Sequence, residues 1–414
     1  MKVLHLSTDD RRGGAALAAY RLHNGLRQLQ VDSIMMVQRK TSADNTVVGR
    51  AGWLGRATQT VRWSLDSLPL WRYGTLRSPV FSAACLNGFA ASRTIRIRPD
   101  ILHLHWTQRG FVSITDIALM RKPIVWTLHD MWAFTGGCHY SSGCRRYVSR
   151  CGSCPLLRSP NQDDLSSKIL RKKLRAWSNL SLTVVAPSHW LADCARQSSI
   201  LGRFPTYVIP NGLDTKTFAR RPIVEARRHL GLPESGYIVL FGAVNATDDR
   251  RKGFAELCSA IAQITAKRPD LKFTLAVFGA ESPRTKPDFG VSCKYLGLIN
   301  DETDLANAYA AADVFVAPSL EDNLPNTVAE ALACGVPCVA FRVGGIPDLV
   351  QHRISGYLAT PHDSEDLAYG IQWVLDNDNR RKTLGEKARA AAVRELDHKV
   401  AARRYEDLYM HILK

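Results

Sequence analysis

The sequence predicts an α/β protein in which an open, doubly wound parallel sheet is built twice. Three observations carry that prediction. Short apolar runs alternate with helix-patterned stretches along nearly the whole chain, as happens when crossover helices bury strands on both faces. The 414 residues exceed what one core normally encloses and point to two domains of roughly 200 residues. The runs fall into two series separated by a turn-rich seam.

In the first series, strands are expected at 3–6 (VLHL), 33–37 (SIMMV), 101–105 (ILHLH), 124–127 (IVWT) and 183–186 (TVVA). The second series reads 207–209 (YVI), 237–241 (YIVLF), 273–278 (FTLAVF), 314–317 (VFVA) and 338–341 (CVAF). The seam falls near 205–218, where IPNGLDTKTF gathers turn residues. The first domain is therefore placed at 1–206, with a cysteine-rich insert at 138–154, and the second at 207–396. Residues 397–414 space Val400, Tyr405, Leu408 and Ile412 at roughly helical intervals and read as a packing helix that can cross back to the first domain.

A net charge of +17 favours anionic partners: phosphates, acidic lipid surfaces or nucleic acid. The opening MKVLHLSTDD reads as a first strand rather than a secretory signal, and no stretch approaches 18 apolar residues. The chain is thus expected in the cytoplasm, with any membrane contact peripheral, on the inner face of the plasma membrane. Six of the ten cysteines are scattered, among them Cys194, Cys258 and Cys334, as suits a reducing compartment.

The most informative stretch is 313–345, DVFVAPSLEDNLPNTVAEALACGVPCVAFRVGG. A short buried strand leads into a helix for which Asn323 is the expected N-cap, Pro325 lies in the first turn and Gly335 is the stop; the next apolar run then returns as a parallel strand. This βαβ unit puts Asp322 and Glu330 at the carboxyl edge of a parallel sheet, where ligands bind, and carboxylates there suit hydroxyl-rich ligands. TDDRRGG at 8–14 and TDDRRKG at 247–253 each follow the first strand of their half. Between a strand end and a helix N-terminus, Gly13 and Gly14 would let an anion approach the backbone, while Arg250, Arg251 and Lys252 could neutralise a diphosphate. The aspartate pairs are a poorer metal reading, since two arginines follow each pair directly.

WTLHD places His129 and Asp130 just past a buried strand, and ILHLHW puts His103 and His105 on one strand face. His129 could hydrogen-bond a hydroxyl or relay a proton. Cys138, Cys144, Cys151 and Cys154 have spacing that could enclose one structural zinc, with His139 as an alternative ligand; disulfides, free thiols or an iron–sulfur cluster are the other readings. Between residues 53 and 81, Trp53, Trp63 and Trp71 mix with Arg56, Arg62, Arg72 and Arg77, a composition that suits a membrane interface, a lipid-linked ligand or plain helix packing. No nucleic-acid signature accompanies it.

Taken together these residues resemble the retaining glycosyltransferases of family 4, which have the GT-B fold, two Rossmann-like doubly wound domains facing a central cleft. The family's signature is an acid, seven positions, a Glu, an Ala-rich helix and a Gly-x-Pro turn; Asp322, Glu330, EALACGVP and VGGIPDLV match it. SLEDNLPNT, WTLHD and the four-cysteine insert are also similar to the subgroup that makes colanic acid and other exopolysaccharides.

The resemblance implies a nucleotide diphosphate sugar as donor, bound by the second domain, and a glycan or lipid-linked oligosaccharide as acceptor. By the same resemblance Glu330 would meet the ribose, and Asp322 or the adjoining Glu321 the donor sugar. Asn323 and Leu324 occupy the loop beside them, and Lys252 with Arg250 or Arg251 would hold the diphosphate. His129, His105 and Asp130 are implied to line the cleft, with Asn211 and Gly212 at the domain junction. His129, Lys252 and Asp322 are the implied catalytic residues, with no catalytic metal and no nucleic acid partner.

Three positions depart from the family pattern: Asp322 replaces Glu, Asn323-Leu324-Pro325 replaces Gly-Phe-Gly, and Gly242-Ala243-Val244 replaces Gly-Arg-Leu. A nucleotide-sugar epimerase of the same fold, and a non-enzymatic zinc-stapled module for anionic membranes or nucleic acid, are the competing readings.

Overall fold

The computed structural model describes residues 1–74, 81–88, 94, 96–281 and 290–414. It divides into two compact units, Met1–Pro210 with Ala401–Lys414, and Asn211–Val400.

The first unit is built on a seven-stranded parallel sheet: β1 (Lys2–Asp9), β2 (Asp32–Lys40), β3 (Val47–Ala51), β4 (Ile101–Leu104), β5 (Ile124–Thr127), β6 (Leu182–Ala186) and β7 (Thr206–Val208). Its order is β3-β2-β1-β4-β5-β6-β7. Strands β4, β5 and β6 are buried along their whole length, which is why each reads as an unbroken apolar run. Register aligns His5 with His103 and Leu102 with Ile124, stacking the carboxyl ends of β1, β4 and β5 side by side.

The edge strand β3 carries Gly49 and Arg50 and is largely exposed, so no apolar run announces it. β7 pairs in parallel with β6. Residues 207–210, assigned from sequence to the second domain, therefore belong to the first, because the turn-rich segment lies beyond the strand and not before it.

The C-terminal helix His398–Leu413 buries Tyr405, Leu408 and Tyr409 against Val3, Leu22, Ile101 and Val125. Both tyrosine hydroxyls find partners in this core: Tyr409 Oη lies 2.6 Å from His103 Nδ1, and Tyr405 Oη 2.7 Å from Thr127 Oγ1.

The second unit holds six parallel strands: β8 (Tyr237–Gly242), β9 (Phe273–Phe278), β10 (Ser292–Gly297), β11 (Val314–Ala317), β12 (Cys338–Phe341) and β13 (Gly356–Ala359). They run in the order β10-β9-β8-β11-β12-β13. Alternate residues feed two cores, Leu240, Phe315 and Ala340 on one face, Val239, Val316 and Val339 on the other. Helices cover both faces, Glu302–Ala310 and Asn326–Ala333 on the first, Phe254–Lys267 and Ser364–Leu375 on the second. β10 escapes a sequence reading because its residues are half-exposed and include Ser292 and Lys294, and β13 because GYLA opens on a glycine and has no β-branched residue.

The helix after β11 begins at Asn326, preceded by Pro325 in an extended conformation, so Asn323 is not its cap. Residues 322–325 instead form a buried loop above the strand, and the helix ends as expected at Gly335, whose φ is 75°. Strand order reverses between β1 and β4 in one sheet and between β8 and β11 in the other, the topological switch points where open α/β sheets bind ligands.

Tyr409→Phe keeps the ring and leaves His103 Nδ1 without its buried partner. It is expected to cost about 1–3 kcal/mol, read as a lowered urea midpoint. An unchanged midpoint would show that this contact contributes nothing to docking the C-terminal helix.

Candidate functional site

At the second sheet's switch point, the segment after β8 and the loop after β11 are locked together by backbone. Gly253 has φ +75°, and a Cβ there would lie 1.8 Å from the Pro318 carbonyl oxygen, so a glycine alone permits the approach. Leu320 N donates to Arg251 O at 2.8 Å. From the other side, Gly345 N donates to Asp322 O at 3.1 Å, and Gly344, φ +54°, leaves no room for a Cβ against that same carbonyl.

Held this way, Asp322 is 5% exposed. Lys252 Nζ donates to its Oδ2 at 2.6 Å, and Arg251 Nη1 to the same oxygen at 3.2 Å and to the Glu321 carbonyl at 3.0 Å. Burial alone would raise the Asp322 carboxyl, but the ammonium and guanidinium outweigh it and hold it below the usual carboxylate range. Both cations keep part of their side chains in solvent while the acid is sealed beneath them. Arg251 Nη2 also donates to Asp249 Oδ2 at 3.1 Å, so the cluster pairs two cations with two carboxylates, the buried one fixing where the cations sit.

Arg250 turns away, donating at 2.6 Å to each oxygen of Glu256 with most of its side chain exposed. Of the two arginines, Arg251 is the one that bonds Asp322. The two TDDRR segments also differ: the first overlaps the end of β1, whereas the second begins five residues past β8, after Gly242. Asn323 and Leu324 are buried in the loop beside Asp322. Asn211 Nδ2 lies 3.5 Å from Asn326 Oδ1, which ties the Asn211-Gly212 turn to the first residue of the following helix.

Glu330 is 2% exposed, and its Oε2 accepts from Tyr309 Oη at 3.0 Å. Burial and the neighbouring carboxylate push the Tyr309 phenol well above its ordinary value, so it stays a proton donor. Sequence reasoning missed Tyr309. Its only signal is a lone aromatic in the alanine-rich DLANAYAAAD.

In the first unit, Gly13 is the exposed N-cap of the helix Gly14–Gln28, directly after β1. Asp9 and Asp10 face inward: Asp9 accepts from Gln59 Nε2, and Asp10 from Thr41 and Ser42. A file of imidazoles crosses this switch point. His5 Nδ1 lies 3.0 Å from His105 Nε2, and His105 Nδ1 lies 3.1 Å from His129 Nε2. Beside them His103 bonds Tyr409 Oη and Thr127 Oγ1.

Among the described residues, His5, His103 and His105 form the one group of His, Cys, Asp or Glu whose ligating atoms all lie within 4.8 Å of one another. Of its six ring nitrogens only His5 Nε2 has no hydrogen bond, and the His103 and His105 rings stack at 4.1 Å with a 33° tilt. That is a hydrogen-bonded stack, not lone pairs converging on an ion. Burial pushes His129 down to about 4, with Asp130 offsetting only part of the effect, so its imidazole is neutral near pH 7.

Asp130 is buried. It accepts from His139 Nδ1 at 2.6 Å, Trp106 Nε1 at 2.8 Å and Trp132 N at 2.8 Å. His139 spends its other nitrogen on Ser82 Oγ at 2.9 Å, which removes it as a metal ligand.

The zinc reading of the four cysteines gains no support. Cys138, Cys144, Cys151 and Cys154 are free thiols, and no three of them form a ligating group. Cys151 and Cys154 pack into the apolar core, and burial pushes the thiols of Cys138 and Cys151 up to about 12 and about 11. The buried amine here is Lys173, which donates to the carbonyls of Trp132 and Thr135 and lies 3.6 Å from the centre of the Trp132 ring; burial pulls it down to about 7.

Two Rossmann-like sheets carry, at the second switch point, two cations over a buried acid. The sequence profile described as Glycosyltransferase Family 4 matches residues 12–217, and that described as Glycosyl transferases group 1 matches residues 236–377. The chain belongs to this family of glycosyltransferases.

It is 27% identical over 309 residues to a D-inositol 3-phosphate glycosyltransferase of Pseudarthrobacter chlorophenolicus, covering 72% of this chain and 66% of that one. It is 29% identical over 263 residues to the putative colanic acid biosynthesis glycosyl transferase WcaC of Escherichia coli, covering 61% and 60%. It is also 29% identical over 297 residues to a phosphatidyl-myo-inositol mannosyltransferase of Mycolicibacterium smegmatis, covering 70% and 66%. In each case the match spans less than two thirds of the relative's own length.

The fold is similar to HepE of Anabaena, solved with UDP and glucose, with a TM-score of 0.67, 19% identity and 99% of both chains covered. It is likewise similar to sucrose-phosphate synthase of Thermosynechococcus elongatus, with a TM-score of 0.71, 20% identity and coverage of 100% and 99%. The fold is GT-B.

Histidines kept neutral by burial stabilise the fold fully above their ordinary value near 6.5, and that stabilisation is lost as pH falls towards the folded values, about 4 for His23 and His129. His5, His103 and His105 are shifted the same way. Unfolding free energy should therefore drop between pH 6.5 and 4, by up to about 1.4 kcal/mol per pH unit for each such imidazole. Stability that stays flat across this window would contradict the neutral stack.

Proposed function

We propose that the chain is a retaining glycosyltransferase that moves a sugar from a nucleotide diphosphate donor to a glycan acceptor, lipid-linked, in cell-surface polysaccharide synthesis. The observation that carries the reading is the pair Lys252 and Arg251 fixed over Asp322 at the switch point. A nucleoside diphosphate leaves as charge develops on its phosphate oxygens, and preordered cations that need not reorganise stabilise that charge best. In this reading Lys252 and Arg251 receive the leaving diphosphate and no metal is required for the step. Gly13 and Gly14 supply backbone N–H groups at a helix N-terminus. Asp322 orders the cations and, with Glu321, faces the donor sugar.

Glu330 takes the ribose hydroxyls, its carboxylate oriented by Tyr309. His129, neutral and with Nε2 committed to His105, serves as a hydrogen-bond partner for a sugar hydroxyl; a base depressed to about 4 is too weak to relay a proton efficiently at neutral pH. Support for a polysaccharide or glycolipid product comes from the names of WcaC and the mannosyltransferase. An epimerase would convert the sugar nucleotide with no acceptor present, so product analysis separates the two.

Lys252→Ala is expected to lower kcat by roughly 100- to 1000-fold with the fold intact by circular dichroism, whereas Arg250→Ala should stay within about twofold of wild type. Equal losses at the two positions would refute the assignment. Glu330→Ala should abolish transfer, and Tyr309→Phe should raise KM for the donor more than it lowers kcat. The anomeric configuration of the product, read by NMR, should match the donor's; an inverted product would end the retaining reading.

A further inference from the structure

The helix Gly52–Asp66 and the 3-10 turn Leu68–Tyr73 that follows it are amphipathic in the reverse sense. The polar side faces the protein. Gln59 Nε2 donates to both oxygens of Asp9 at 3.1 Å, and Arg62 reaches the carbonyls of Gly110 at 2.6 Å and Asn87 at 2.9 Å. Asp66, buried, accepts from the backbone N–H groups of Ala84, Cys85 and Leu86. The apolar side faces solvent: Trp53 is 75% and Trp71 59% exposed, and Leu54, Val61, Leu65 and Leu68 are exposed with them.

Leu54, Val61 and Leu65 fall on one helical stripe with Trp53 alongside. A surface helix normally buries such a stripe, and a contiguous exposed one marks a docking face. The charge around it has one sign. Arg50, Arg56 and Arg72 are exposed, and the single acid between residues 47 and 74 is the buried Asp66.

We propose that this face docks on an anionic lipid bilayer. The tryptophans and leucines enter the interfacial layer, and the arginines meet lipid phosphates. Among the described residues no helix is long and apolar enough to cross a membrane, so the helix lies in the interface plane. The polar contacts to Asp9, Gly110 and Asn87 hold it there without exposing a polar face to lipid. The inference stands on these exposures and charges and does not need the transferase reading to be right.

Flotation of the full chain with vesicles tests it. The wild type should float with vesicles containing phosphatidylglycerol, and less with phosphatidylcholine alone or at high salt. The combined variant Trp53→Gln, Leu54→Gln and Trp71→Gln should lose roughly tenfold or more of that binding with an unchanged melting temperature. Arg56→Gln with Arg72→Gln should lose the preference for phosphatidylglycerol. Equal flotation of wild type and the combined variant, binding to neither vesicle, or retention only by nucleic acid or a protein partner would overturn the proposal. Nucleotide-sugar stabilisation should be the same in the combined variant as in the wild type; its absence from a wild type that still floats would count against the transferase reading alone.

Discussion

The ion cluster of Asp322, Lys252 and Arg251 is the interaction on which the second unit's site depends. A carboxylate 5% exposed would ordinarily be a liability, since burying an unpaired charge costs several kcal/mol. It is tolerated here because two cations from a segment 70 residues earlier in the chain reach the same oxygen, and because glycines at 253 and 344 let three backbone segments close around it. The fold builds a place for the acid, the acid fixes the cations, and the cations present the charge that an anionic ligand would meet. Removing the acid would be expected to loosen the cations and not merely delete one contact.

The βαβ unit at 313–345 was legible because two apolar runs are bounded by turn residues at helix and strand spacing. Asp322, Glu330 and Lys252 could be singled out by residue type and motif. That Lys252 and Asp322 touch could not, because contacts across 70 positions are set by sheet order and not by local pattern. The choice of Arg251 over its neighbour turned on Glu256, whose pull on Arg250 only a folded helix start reveals. Tyr309 left almost no trace, since a buried tyrosine in an alanine-rich helix reads as packing. Cysteine spacing counts thiols without fixing their burial, and here burial raises the thiols of Cys138 and Cys151 beside Lys173.

The first unit shows how most of a polar core finds partners within the protein. Histidines on adjacent strands would be costly singly, but register puts His5 beside His103, and their neighbours His105, Thr127 and Tyr409 supply the partners. The C-terminal helix contributes two of the hydroxyls involved, which explains why a segment so late in the sequence belongs to this unit. His129 inherits its neutrality from that surrounding, and a role in hydrogen bonding follows more naturally than one in proton transfer.

In the proposed function the cations over Asp322 bind a nucleotide diphosphate sugar. Thermal unfolding of the full chain with uridine, guanosine and adenosine diphosphate sugars tests it directly, because a ligand that binds the folded state raises its melting temperature. A clear rise is expected with at least one of them in the wild type and little or none in Lys252→Ala. No rise with any donor, or an equal rise in the variant, would contradict it.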